Sequence, residues 1–165
     1  MLKIKAFLFA LPFALLSPLS VVSQIYDPID WSYDVREIND DEAELRFTAV
    51  MEGDWHIYAT DLPKDKGPIP TDFVFEKSDD YRLIGPLKAG NYITKYDPNF
   101  QMDLNFYEGT AVFRQKIKRV ANRDFKVKGE LTYMVCNDEM CLPPEYLPFE
   151  FGVRGAEGKA QAKNK

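Results

Sequence analysis

Alternation of apolar and polar side chains is the feature that most limits how this chain can fold. Residues 111–120 show it best: Ala111, Phe113 and Ile117 share one side, whereas arginine and lysine occupy positions between them. A period of two places every second side chain on the same face of a β-strand, so this segment is expected to be a half-buried strand. Eleven Pro and nine Gly, spread along 165 residues, argue further against long helices.

Five further segments have strand-like patterns or composition. They are residues 44–50, 55–59, 71–75, 124–135 and 146–153. Clusters of proline and glycine separate them, as expected of turns. One or two additional strands are expected that the pattern does not locate. Short strands joined by turns predict an all-β fold, an antiparallel β-sandwich, and the chain shows no internal repeat and no sign of a second domain.

The first residues have the composition of a secretory signal peptide. Lys3 and Lys5 form a short basic region, and residues 6–22 are largely apolar up to the small residue Ser23. We predict that residues 1–23 are removed on export. A retained membrane anchor is the alternative, and the two prolines within the apolar run argue against it.

The remaining chain is expected to contain one domain, residues 24–153, followed by a small polar tail, residues 154–165. No stretch in either part is apolar enough to cross a membrane, so we expect an exported protein without a membrane span after signal removal. The net charge of −5, from 21 basic and 26 acidic residues, speaks against a nucleic-acid partner. One histidine and two cysteines are too few for a metal site built from many such ligands.

Cys136 and Cys141 are separated by four residues. In an exported protein such a pair predicts a disulfide. Closing so short a loop stabilises the fold by only about 2 kcal/mol, and a bridge in a tight loop is open to attack by a partner thiolate. On spacing alone, a redox-active pair and a purely structural disulfide in a secreted binding or structural module are equally good interpretations. A third interpretation is Cu(I) handling, with Met134 and Met140 as additional sulfur ligands.

Three segments of the chain resemble one known family. Residues 135–145, Val-Cys-Asn-Asp-Glu-Met-Cys-Leu-Pro-Pro-Glu, are similar to the redox segment of the N-terminal periplasmic domain of the thiol:disulfide interchange protein DsbD. Residues 106–113 resemble that family's cap loop and the strand after it, and residues 53–58 resemble its aromatic strand beside the active site. The three segments occur in the family's order, and the resemblance covers residues 24–153.

The resemblance implies an immunoglobulin-like β-sandwich in the periplasm. It also implies a function: passing electrons through mixed disulfides between a membrane-linked reductase module and oxidised exported proteins, in a system tied to cytochrome c biogenesis. The partners would be thioredoxin-like periplasmic proteins and a separate membrane electron-transfer protein, since the sequence shows neither the membrane domain nor the thioredoxin-like domain of DsbD. No cofactor is implied, because the cysteine pair itself holds the two electrons.

By position, the resemblance makes Cys141 the residue that forms the intermolecular disulfide and Cys136 the residue that resolves it. Phe106 and Tyr107 would form a mobile flap over the pair, in a loop whose polar and glycine-containing surroundings permit movement. The alternative is that both aromatic side chains anchor a turn to the core. Asp138 and Glu139, between the cysteines, would raise the pKa of a nearby thiol, which favours reaction inside a partner complex. Equally, they could be solvated turn residues.

The segment around His56 is the other candidate part of the site. His56 and Tyr58 alternate with Trp55 and Ile57, so the two pairs are expected on opposite faces of one strand. We expect Tyr58 to line the site, and Trp55 and Ile57 to enter the core. Beside the thiols, His56 could stabilise a thiolate or relay a proton, and equally it could have an ordinary packing role.

Overall fold

Eleven β-strands and the turns between them make up the described part of the molecule, residues 27–62 and 67–155 of a computed structural model. The predicted signal peptide, residues 1–23, and residues 156–165 of the predicted tail lie outside these ranges. Within the described ranges, no helix has the length and apolar character needed to cross a membrane. The regular elements of these ranges are the β-strands given next.

All the strand pairings are antiparallel. The strands are β1 (Ile29–Glu37), β2 (Glu42–Met51), β3 (His56–Tyr58), β4 (Asp72–Phe75), β5 (Tyr81–Lys88), β6 (Ile93–Asp97), β7 (Met102–Glu108), β8 (Thr110–Arg119), β9 (Phe125–Tyr133), β10 (Val135–Cys136) and β11 (Glu145–Val153). They form three sheets, with strand orders β1-β2-β8-β5, β10-β3-β7-β6 and β11-β9-β4.

Aromatic side chains show how the sheets pack. Phe47 of β2 lies 4.9 Å, between ring centroids, from both Phe149 and Phe151 of β11. Phe113 of β8 lies 5.2 Å from Tyr107 of β7. The first sheet therefore forms one layer, and the other two sheets together form the second. We call the buried side chains between the layers, centred on these rings, the sandwich core. The antiparallel β-sandwich predicted from the sequence is confirmed.

Each segment predicted as a strand contains one, and the segment 124–135 is divided into β9 and β10 at Met134. Strands β1, β5, β6 and β7 were not located. The sequence of β1 alternates clearly, so its signal was available. The sequence of β7 also alternates, from Met102 to Phe106. By contrast, β5 contains Gly85 and Pro86 within an irregular register, and β6 is largely exposed. Two-residue alternation is absent wherever both faces of a strand meet the same environment.

The sheet β10-β3-β7-β6 positions the cysteines. Its strand β3 is buried on both faces, because one face packs on the sandwich core and the other is covered by a second, smaller cluster. A single residue, Gly109, separates β7 from β8, and its φ is 65°. Glycine adopts this left-handed conformation without strain, so the chain passes from one layer to the other in one tight turn.

Candidate redox site

Cys136 and Cys141 are joined by a disulfide. Cys136 ends β10 and is completely buried, whereas Cys141 follows the turn after β10 and is partly exposed. The disulfide expected from the sequence is therefore present, and its two cysteines differ in burial. A thiolate arriving from outside the molecule would reach Cys141 more easily than Cys136, because access controls which sulfur is attacked.

The turn between the cysteines is organised by Asn137. Its Oδ1 accepts hydrogen bonds from the backbone N–H groups of Glu139, at 3.0 Å, and of Met140, at 2.9 Å. Its own backbone N–H donates to the Met140 carbonyl at 2.9 Å. The side chain of Asn99 donates to the Asn137 carbonyl at 2.9 Å. Asparagine stabilises such turns through its side-chain oxygen, and here it brings the second cysteine back beside the first.

The register of the sheet assembles the side chains around the disulfide. Cys136 is paired with His56 of β3, and Tyr58 is paired with Phe106 of β7. Because alternate residues of a strand share a face, these four side chains lie on the face that points away from the sandwich core. The buried apolar group on that face, which we call the cysteine-side cluster, consists of Tyr58, Leu62, Leu104, Phe106 and Cys136.

Phe106 and Tyr107 lie in β7, in the interior of the sheet. The sequence predicted a mobile loop at this position. As neighbours in a strand, their side chains point to opposite faces. Phe106 packs against His56, with ring centroids 4.3 Å apart. Tyr107 enters the sandwich core against Phe113. The prediction of a flap formed by both residues is corrected accordingly: of the two, only Phe106 is brought to the cysteines.

Asp97, at the end of β6, is a site residue that sequence reasoning missed. It is 2% exposed, and its Oδ2 accepts a hydrogen bond of 2.6 Å from the Tyr58 hydroxyl. Its Oδ1 accepts a hydrogen bond of 2.8 Å from the backbone N–H of Asn99. Burial, together with the Asp97 carboxylate, raises the pKa of Tyr58, so the hydroxyl stays protonated and donates. Asp-Pro-Asn is typical of a turn, and no local signal connects it with Tyr58, which precedes it by 39 positions.

His56 is 4% exposed and lies beside this hydrogen bond. Its Nε2 is 3.7 Å from Asp97 Oδ2 and has no hydrogen-bond partner among the described residues. Burial lowers the pKa of His56 below 6.5 and outweighs the attraction of Asp97, so the imidazole is neutral at pH 7. As predicted, Trp55 and Ile57 point the other way, into the sandwich core.

The two cysteine sulfur atoms are bonded to each other, so neither is a free thiolate ligand for a metal ion in this state. Met134 packs against the cysteine-side cluster, and Met140 is half exposed in the turn. Within residues 27–62 and 67–155, no group of three or more His, Cys, Asp or Glu side chains is arranged to hold a metal ion. The chemistry that the arrangement directly offers is exchange of the disulfide with an external thiol.

The family of the N-terminal domain of thiol:disulfide interchange protein DsbD matches residues 28–151, which is most of the chain. The chain belongs to this family. The resemblance drawn from residues 53–58, 106–113 and 135–145 is thereby confirmed, and the protein is a thiol-disulfide exchange domain of the DsbD N-terminal type. No match to the chain is found among curated proteins.

One solved structure shows the same fold as this DsbD-type domain, and two others are similar to it. The N-terminal periplasmic domain of ScsB from Proteus mirabilis has a TM-score of 0.58 at 11% identity, over 87% of this chain and 55% of that chain. The reduced DsbD N-terminal domain of Neisseria meningitidis has a TM-score of 0.49 at 20% identity, over 76% of this chain and 86% of that chain. The DsbD N-terminal domain in its complex with the PilB N-terminal domain, from the same organism, has a TM-score of 0.48 at 18% identity, over 76% and 85%. The immunoglobulin-like β-sandwich is confirmed.

The DsbD-type fold therefore brings most of the sequence-predicted site residues together. His56, Tyr58 and Phe106 meet the cysteine pair on one face of the sheet. The fold directs Tyr107 to the opposite face and adds Asp97 from β6. The disulfide therefore packs against aromatic rings and lies near a buried, hydrogen-bonded polar group. A cluster formed only to bury apolar area would not contain such a group.

Proposed function

We propose that this domain is a periplasmic electron shuttle that works through reversible reduction of the Cys136–Cys141 disulfide. It takes an electron pair from a membrane-linked reductase module and passes it to oxidised exported proteins. The observation that carries the proposal is the unequal burial of the two cysteines in a member of a thiol:disulfide interchange family. One accessible sulfur beside one protected sulfur supports directed exchange, whereas a structural disulfide has no need of an accessible sulfur.

Loading begins when a thiolate of the electron donor attacks Cys141 Sγ. A mixed disulfide forms, the bond between the two cysteines breaks, and Cys136 takes the electron pair of that bond and a proton. The donor's second thiolate then attacks the donor's first sulfur, which is bonded to Cys141 in the mixed disulfide, and Cys141 is released. The donor leaves as a disulfide, and the domain holds two thiols. No cofactor takes part, because the cysteine pair carries both electrons.

Unloading follows the same steps in reverse. The Cys141 thiolate attacks a disulfide of the acceptor, which forms a mixed disulfide and releases one acceptor thiolate. Cys136 then attacks Cys141 Sγ, restores the internal disulfide and releases the second acceptor thiolate. Because this resolving attack is intramolecular, the buried position of Cys136 protects it from foreign oxidants without separating it from its target.

The partners that we propose are thioredoxin-like periplasmic proteins and a separate membrane electron-transfer protein. A DsbD N-terminal domain from Neisseria meningitidis forms a complex with the PilB N-terminal domain. In the present domain, Met140 is half exposed beside Cys141, and Leu142 is partly exposed after it. Apolar groups around a reactive sulfur provide a surface on which a partner can dock during exchange.

Trapping partners in the periplasm tests the roles of the two cysteines. The Cys136→Ser variant should accumulate mixed disulfides through Cys141, because no internal thiol can resolve them. The matched Cys141→Ser variant should trap little, and the doubly substituted chain should trap nothing. Nonreducing electrophoresis followed by mass spectrometry would identify the adducts. Adducts of Cys141→Ser without adducts of Cys136→Ser would show that the roles are reversed.

Equilibration in graded glutathione buffers distinguishes a shuttle from a structural disulfide. We expect thiol counting to show reversible reduction while tryptophan fluorescence reports a folded domain throughout. A disulfide that resists reduction until the domain unfolds would refute the shuttle. Titration of the reduced domain with Cu(I) tests the copper interpretation separately, and tight stoichiometric binding would favour it over exchange.

A further inference from the structure

His56 occupies the position directly opposite Cys136. The two residues are register partners on the antiparallel strands β3 and β10, and both are buried. Directly opposite residues share a face of the sheet, and their Cβ atoms are about 5 Å apart. The imidazole is therefore within reach of the Cys136 sulfur once that sulfur is released from the disulfide.

The orientation of His56 is that of a proton acceptor. The Asp54 backbone favours protonation of the ring, and Nε2 has no partner, so we assign the ring N–H to Nδ1 and take Nε2 as the unprotonated nitrogen of the neutral imidazole. Nε2 is buried and has no hydrogen-bond partner in the described part of the chain. A buried acceptor without a donor is costly. The Cys136 thiol, which exists only in the reduced and mixed-disulfide states, is a donor placed on the same face.

Asp97 and Tyr58 complete the arrangement beside the same ring nitrogen. Asp97 Oδ2 is 3.7 Å from His56 Nε2, so a positive charge on the imidazole would be paired with a carboxylate. The Tyr58 hydroxyl donates to the same oxygen at 2.6 Å and holds the carboxylate in place. Both groups are almost completely buried, where such charge pairing is stronger than in water.

We propose that His56 is the general base that takes the proton from Cys136 when this residue resolves the mixed disulfide, with Asp97 and Tyr58 as positioning residues. The inference rests on the proposed function and assigns a residue to its resolving step. A base is needed there because only the thiolate is nucleophilic, and ionising a thiol in a buried apolar setting without a proton acceptor is costly.

His56 Nε2 accepts the proton of Cys136 Sγ, which gives an imidazolium and a thiolate. The thiolate attacks Cys141 Sγ, the bond between the two cysteines forms, and the bond from Cys141 to the acceptor sulfur breaks. The electron pair of the broken bond leaves with the acceptor as a thiolate. Over the whole exchange the acceptor is reduced by two electrons and the dithiol is oxidised, and the imidazolium returns its proton to solvent.

The other titratable groups around His56 are suited to supporting it rather than replacing it. Asp97 on β6, Glu108 on β7 and Asp138 in the cysteine turn all favour the imidazolium by charge. Carboxylates are far weaker bases than imidazole, and Glu108 and Asp138 are exposed. The Tyr58 hydroxyl is protonated and donates to Asp97, so it cannot act as the base that takes the thiol proton.

The test follows oxidation of the reduced domain by dithiobis-nitrobenzoate, an aromatic disulfide that releases one coloured thiolate at each step. The first release reports the attack of Cys141 on the reagent, and its rate depends on reagent concentration. The second release reports the attack of Cys136 on the mixed disulfide. The rate of this step is independent of reagent concentration, because the step is intramolecular. One absorbance trace therefore separates the resolving step from formation of the mixed disulfide.

In the wild type we expect the rate of the second phase to be independent of pH near neutrality. It should decrease at a pH below 6.5, as His56 becomes protonated. In His56→Gln the second phase should be about 100-fold slower at pH 7, a size typical of general-base catalysis. Its rate should rise with pH as the thiol ionises unaided, and should approach the wild-type rate in alkaline buffer. The first phase should change by less than about threefold.

Asp97→Asn tests the positioning residue. The amide can still accept from Tyr58 but carries no charge, so His56 becomes a weaker base. The second phase should slow by about tenfold. The decrease of its rate in acid should occur at a lower pH than in the wild type. Asp103→Asn is the matched control, since it makes the same change at an exposed position of the neighbouring strand β7. It should leave both phases unchanged.

A second phase in His56→Gln as fast as in the wild type at pH 7 would overturn the proposal. A wild-type second phase that rises steadily with pH, without levelling near neutrality, would also overturn it, and that measurement needs no variant. Equal slowing of both phases in His56→Gln would show that the residue is structural only. A wild type without any first phase would instead contradict the proposed shuttle itself.

Discussion

The sandwich core and the cysteine-side cluster lie on opposite faces of the same sheet, but different kinds of side chain build them. Towards the sandwich core the sheet directs Ile57 and Tyr107, which join an interior dominated by aromatic rings. Towards the cysteine-side cluster it directs Cys136 and Tyr58, whose hydroxyl is bonded to the buried Asp97. Strands β3 and β7 contribute to both regions at alternate positions.

From this difference we infer that the sandwich core mainly stabilises the fold, whereas the cysteine-side cluster mainly affects the reactivity of the disulfide. Removing apolar surface from water stabilises a protein by about 25 cal/mol per Å², so the larger aromatic interior supplies most of the folding free energy. Buried polar groups contribute little net stability even when they are hydrogen-bonded. Their presence beside a disulfide therefore points to reactivity. Substitutions in the two regions should differ in what they change.

The largest expected effect is on the sandwich core. Phe47 is completely buried, with ring centroids 4.7 Å from Phe73 and 4.9 Å from Phe149. Phe47→Ala should lower the free energy of unfolding by about 4 kcal/mol, measured by urea denaturation. The part that remains folded should exchange its disulfide at the wild-type rate. Tyr146→Ala, at an exposed position of β11, is the control and should cost less than about 0.5 kcal/mol.

Phe106→Ala and Tyr107→Ala compare the two regions directly, because these neighbouring residues face the cysteine-side cluster and the sandwich core, respectively. Each should lower the free energy of unfolding by about 3 kcal/mol. Only Phe106→Ala should speed alkylation of Cys136 by iodoacetamide in the reduced folded domain, since it opens the cluster that covers this sulfur. Peptide mapping by mass spectrometry would report the rate at each cysteine. Equal rates in the two variants would remove the distinction between the faces.

A smaller effect is expected from the buried hydroxyl. Tyr58→Phe removes the donor to Asp97 Oδ2 and leaves that buried oxygen without it. The free energy of unfolding should fall by about 2 kcal/mol, the usual cost of an unsatisfied buried acceptor. Tyr96→Phe, at an exposed position of β6, provides the matched control. A cost no larger than that of the control would mean that the hydrogen bond does not stabilise the site.

The smallest effect concerns pH. The pKa of His56 is lowered in the folded domain, whereas the unfolded chain keeps the ordinary value of 6.5. Below pH 6.5 the unfolded chain therefore binds more protons than the folded domain, and the free energy of unfolding decreases as the pH falls. Denaturation at neutral and mildly acidic pH should show a steeper loss for the wild type than for His56→Gln. Parallel losses would contradict the lowered pKa.

Local pattern predicted the parts of the fold in which one face of a strand is buried. Strand β8 alternates because the sandwich core lies on one side and solvent on the other. Strand β7 also alternates, from Met102 to Phe106, but neighbouring residues outweighed this signal. Asn105 and Gly109 are residues typical of loops, so Phe106 and Tyr107 between them were assigned to a loop. Strand pairing on both sides of β7 overrode that local preference.

The amino-acid sequence was sufficient to predict the all-β character of the domain, the pairing of its two cysteines and the shared face of His56 and Tyr58. Each of these follows from spacing along the chain, which folding preserves. The burial of Cys136, the partial exposure of Cys141 and the hydrogen bond from Tyr58 to Asp97 became evident only in the folded structure. Burial and hydrogen bonding between distant positions depend on which strands pair, and strand pairing is set by the packing of the whole sandwich.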